Sequence, residues 1–84
     1  MPNNNNIQRG VTAQLEALNL IEQWHHNDRQ GFDDLYAIAV STPEDLVRAC
    51  SIVADMALAL PQTGDYDYRL NQLRKAFSRA GGAK

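Results

Sequence analysis

Glu22, His25 and His26, with Asp28 close behind and Cys50 further along, are the residue types best suited to hold a metal ion. Glu22 and His25 stand in Glu-x-x-His spacing, which puts both on one face of a helix. Di-iron bundles use two such pairs and two further glutamates. A second pair is absent from this sequence. His25 and His26 are adjacent, so on a helix they diverge by about 100° and do not chelate one ion together. The expectation is therefore solvated or partner-facing histidines near a helix end, where their partial positive charge suits the dipole. No metal and no cofactor is expected.

Cys50 is the single cysteine. As a nucleophile it would need a neighbouring base, yet its helical neighbours are Leu46, Val47, Val53 and Ala54. Apolar surroundings raise a thiol's pKa, so Cys50 reads as a packing residue. It cannot form an intramolecular disulfide, which excludes the disulfide-stapled class. No phosphate-binding glycine loop, nucleophile elbow or zinc-protease motif occurs. A catalytic role is not expected.

Charge is divided along the chain. Residues 1–67 hold three bases and ten acids, whereas residues 68–84 hold five bases and no acid. Arg69, Arg74, Lys75 and Arg79 could therefore touch phosphates, which makes nucleic-acid binding the alternative function. A helix-turn-helix around Ser41-Thr42 fails on charge. Its recognition helix would begin Pro43-Glu44-Asp45 and meet the phosphates with two carboxylates.

Four helical segments must position these groups. The first covers about 11–30, with Thr12, Glu16, Asn19, Gln23 and His26 in one polar stripe. Val11, Leu15 and Leu18 form one apolar seam, and Ala13, Ala17, Leu20 and Trp24 form another. Asn27, Asp28 and Gly31 supply stop signals. The second, short helix covers 33–40, with Phe32, Leu35, Tyr36 and Ala39 on one face. The third starts at a strong local signal: Thr42 caps, Pro43 takes the first helical position, and Glu44 and Asp45 meet the dipole. It runs to Leu60, ends at Pro61, and carries Glu44 four residues before Arg48, an order that favours an ion pair. After a turn at 62–65, the last helix presents a narrow stripe of Tyr66, Leu70, Leu73, Phe77 and Ala80.

The fold expected is an all-α, compact four-helix bundle with a short second helix. Residues 1–8 read as a disordered polar tail, 9–80 as a single helical domain and 81–84 as a flexible tail. In 84 residues only one domain fits, and its surface-to-volume ratio is poor. With no apolar run long enough to span a bilayer and no secretory leader, no membrane association and a cytoplasmic location are expected. The polar stripe of the first helix also lacks the lysines and arginines of a membrane-surface helix.

The first and third helices have apolar arcs wider than one neighbour requires. Packing them together, flanked by the others, would use one seam of helix one and leave the other. Ala13, Ala17, Leu20 and Trp24 are therefore the expected contact surface for a protein partner or a second copy in a homodimer. The function expected is a non-enzymatic protein–protein interaction module. By analogy of size alone, it fits a small regulator such as the phage-encoded inhibitors of host machinery.

Overall fold

The computed structural model describes residues 4–59 and 65–82 and contains four α-helices: α1 (Asn4–His25), α2 (Arg29–Ile38), α3 (Pro43–Ala59) and α4 (Tyr66–Gly82). The all-α bundle with a short second helix is as expected. Its radius of gyration of 12.9 Å is close to the ~12 Å of a compact domain this long.

The boundaries differ from the sequence reading at both ends of α1, at both ends of α2, which covers 29–38 and not 33–40, and at the end of α4. Helix α1 begins at Asn4, so residues 4–8 of the expected tail are helical, and α4 continues through Gly82. Residues 1–3 and 83–84, together with the helix end at Leu60-Pro61 and the turn at 62–64, lie outside the described residues. Helix α1 also stops at His25 rather than near Gln30. Asn27 takes a left-handed φ of 60°, which asparagine tolerates better than most residues. Asp28 then caps α2, accepting the Gly31 N–H at 2.9 Å. Gly31 thus opens a helix instead of ending one. A Cβ there would sit 2.5 Å from the capping Asp28 Oδ2.

The remaining caps follow the same chemistry. Thr42 Oγ1 accepts the Asp45 N–H at 3.1 Å, as expected for α3. Asp65 Oδ1 accepts the Tyr68 N–H at 2.8 Å and opens α4.

Helix directions follow from the cross-helix pairs. Arg9 meets Asp45 at 2.7 Å, so α1 and α3 start at the same end and run parallel. That guanidinium, hydrogen-bonded to the carboxylate, holds Asp45 below its ordinary pKa. His26 meets Asp67 and Glu22 meets Arg74, so α4 runs antiparallel to α1. Helix α2 doubles back until the Val40 and Ser41 N–H groups reach Glu16 on α1, at 2.8 and 3.1 Å.

Helix α1 packs against all three others, whereas α2 packs against α1 alone among the described residues. The centre of the bundle is therefore α1. Ala13, Ala17 and Leu18 of α1, Ala49, Val53 and Ala57 of α3, and Leu70, Leu73 and Phe77 of α4 form one buried cluster. Four of these nine are alanines shared between α1 and α3. Side chains this small let two parallel helices approach closely, while α4 contributes the bulk.

Candidate functional site

The seam expected to face a partner is divided by the fold. Ala13, Ala17 and Leu20 are 4%, 0% and 3% exposed, so they are core and not a contact surface. Periodicity had assigned α1 one covered flank. In the bundle α3 covers the alanine flank, while Val11, Leu15 and Leu18 on the other side also join the core. Trp24 alone keeps the expected exposure, at 78%.

Trp24 stands in the last turn of α1, and the reversal at Asn27-Asp28 brings Phe32 of α2 against it. The two rings meet edge to face, with centroids 6.2 Å apart and planes at 64°. This is a favourable aromatic geometry that holds the indole in place while leaving its surface open. Beside it lies a cleft of about 580 Å³, with Asn27, Asp28, Arg29 and Asp33 on its rim. The rest of α2 is exposed on more than one side. None of its ten residues is fully buried, and Tyr36, Ile38 and, just beyond the helix, Val40 are exposed.

The chemistry-bearing residues near the end of α1 are each engaged elsewhere. Arg74 donates to Glu22 Oε1 at 2.8 Å, placing a cation where a metal ion would have to sit. The His25 ring lies 4.9 Å from that of Tyr66. His26 Nε2 lies 2.7 and 2.8 Å from the two carboxylate oxygens of Asp67. The Asp67 hydrogen bond raises the His26 pKa against the opposing effect of desolvation, and the charges of Asp67, Glu22 and Asp28 act in the same upward direction. Among the described residues, no three His, Cys, Asp or Glu side chains converge on a common point. Cys50 is half-buried on α3, and burial pushes its thiol pKa up.

The basic last helix does not present its charges as one face. Arg74 donates to Asn19 at 2.8 Å as well as to Glu22, and also to Asn71, so it is bound into the α1–α4 seam. Arg69 is half-buried. Lys75 and Arg79 are exposed. The phosphate-contact set expected from sequence thus keeps two of its four members on the open surface.

Two features escaped the sequence reading. Phe32 was assigned to the face of α2 but not to Trp24, because their contact depends on the chain reversal between them. The exposed flank of α3, with Val47 and Leu58 open to solvent, was counted as part of one wide apolar arc. Periodicity shows that this arc is wide but not which part of it a neighbour covers.

No helix among the described residues is long and apolar enough to cross a membrane. No family model, no curated protein and no solved structure matches this chain.

Proposed function

We propose that this chain is a non-enzymatic interaction module that binds a protein partner through the end of α1 and the outer side of α2. The observation that carries this reading is Trp24. A tryptophan 78% exposed, propped edge-on by Phe32 and bordered by an open cleft, is a costly surface for a chain that acts alone. Tryptophan anchors inserted into partner pockets dominate interface energetics, because one rigid side chain contributes large area with little rotamer entropy. Tyr36, one turn after Phe32 on the same side of α2, is exposed and extends the apolar surface, while Asp28 and Asp33 give the cleft a polar and acidic margin. A small regulator that docks on a larger protein fits this arrangement, and the cytoplasm is the compartment in which we place it.

Trp24 is also the only tryptophan, so its fluorescence reports on the site directly. The chain is used to capture partners from its native host, and each captured protein is then titrated back in purified form. A true partner shifts the emission of Trp24 to shorter wavelength and loses most of its affinity to Trp24→Ala, whose circular dichroism stays unchanged. Binding that leaves the emission unmoved and tolerates Trp24→Ala overturns the reading. So does binding of nucleic acid that weakens steeply with salt and depends on Lys75 and Arg79, since that slope marks phosphate contacts.

A further inference from the structure

We infer that the outer flank of α3 is a self-association surface, on which a second copy of this chain docks antiparallel. The flank consists of Val47, Ser51, Ala54 and Leu58. At about 100° per residue these four fall within a sector of roughly 60°, about 120° round the helix from the buried row of Leu46, Ala49, Val53 and Ala57. Val47 is 71% and Leu58 66% exposed, and Ala54 is half-buried. Neither Trp24 nor any residue of α2 belongs to this flank.

What singles out a second copy as the occupant is the symmetry of the pattern. The spacing of 47, 51, 54 and 58 is 4-3-4, which reads the same in either direction, and the sizes run large, small, small, large. An isologous two-fold contact maps each residue of a patch onto another residue of the same patch. Two antiparallel copies of α3 would set Val47 against Leu58 of the second copy at both ends. Ser51 would face Ala54 of the second copy at the middle, where small side chains let the helices approach.

Charge follows the same two-fold. Arg48 and Asp55 lie on the same solvent margin of this flank, two turns or about 10 Å apart along the axis. Antiparallel pairing about the centre of the apolar row brings Arg48 to within about two residues, or ~3 Å along the axis, of Asp55 of the second copy. The pair forms twice, once at each end. Among the described residues the ion pair of Arg48 is a long 3.8 Å approach to Asp45, and its side chain is 74% exposed. A parallel two-fold would instead send the Arg48 and Asp55 margin of one copy to the opposite side of the contact from that of the other, and neither pair would form. Three turns of one helix bury less than the roughly 800 Å² per partner of a standard interface, so the dimer is a weak one, of micromolar or higher Kd.

Sedimentation equilibrium of the full chain, from about 1 µM to about 1 mM, tests this directly. Wild type is expected to rise from 9.4 kDa towards twice that mass across the series. Leu58→Glu is expected to remain monomeric with unchanged circular dichroism. Arg48→Glu and Asp55→Arg are each expected to weaken association about tenfold, and the double variant to recover most of that loss. The recovery keeps the test sound if Leu58→Glu fails to fold. A wild type that stays monomeric throughout overturns the inference. So does a dimer that survives both charge reversals and dissociates with Trp24→Ala, which would move the contact to the α2 surface.

Discussion

The carboxylate of Glu16 accepts the Val40 N–H at 2.8 Å, across 24 residues of sequence, and its other oxygen accepts the Ser41 N–H at 3.1 Å. These are backbone donors of the corner between α2 and α3, which no helix satisfies. One side chain on α1 thus fixes where α2 ends and where Thr42 begins to cap α3. Charge-assisted hydrogen bonds of this kind contribute more than neutral ones. Glu16→Ala is expected to cost about 1–3 kcal/mol in urea unfolding, and Glu16→Gln somewhat less, because one amide oxygen can still accept. A Glu16→Ala midpoint equal to wild type would show that the corner holds itself.

His26 and Asp67 tie the end of α1 to the start of α4. Their hydrogen bond raises the His26 pKa above its ordinary value of 6.5 in the folded chain. A raised histidine pKa means that the folded state binds the proton more tightly than the unfolded one. The stability it contributes is fully present below about pH 6.5 and is lost as pH rises through the higher folded value. Melting curves of wild type and Asp67→Asn should therefore differ most in mild acid and converge above neutrality. A gap that widens with rising pH would contradict the assignment.

Asn27 sets the reversal that brings Phe32 to Trp24. At φ of 60° a β-branched residue is strained by roughly 1–2 kcal/mol, whereas glycine is not. Asn27→Val is expected to lower the melting temperature and quench-accessibility of Trp24 to change with it; Asn27→Gly is expected to be nearly neutral. Equal stability of the two variants would place the turn elsewhere.

Local signals were legible before the fold was seen. Thr42-Pro43 marks the start of α3 through side chains only three residues apart, and Leu70, Leu73 and Phe77 mark a single buried stripe on α4. Periodicity also showed that α1 and α3 each carry more apolar surface than one neighbour needs. It could not show which flank a neighbour would take. Ala13 and Ala17 looked available because small residues are ambiguous between tight packing inside the chain and tight packing between chains. The fold uses them inside, and the surplus remains on α3 at Val47 and Leu58. Contacts such as Trp24 with Phe32 and Glu16 with Val40 depend on how the chain turns back, and a polar stripe does not reveal which of its members will be tethered.

Val53 is fully buried at the centre of the α1–α3–α4 cluster. Val53→Asp would place a carboxylate there without a partner, at a cost of several kcal/mol, comparable to the whole stability of a small domain. Circular dichroism is expected to show an unfolded chain, or one melting far below wild type. A melt within a few degrees of wild type would mean that this cluster is not the core.

Arg74 separates a structural from a phosphate-binding role for the basic last helix. Its guanidinium bridges to Asn19 and Glu22, both at 2.8 Å, and its side chain is 30% exposed against 21% for that of Glu22. Part-buried charges that hydrogen-bond each other are costly to separate, because the remaining member keeps its desolvation penalty. Arg74→Ala is therefore expected to cost about 1–3 kcal/mol, and Glu22→Ala a similar amount. Combined, the two changes should cost less than their sum, since the second removes a group already left without its partner. Lys75→Ala, one residue further on and exposed, is expected to lie within about 0.5 kcal/mol of wild type. Urea unfolding of the four proteins measures all of this at once. Strict additivity of Arg74→Ala and Glu22→Ala would sink the bridge and return Arg74 to the open basic surface with Lys75 and Arg79.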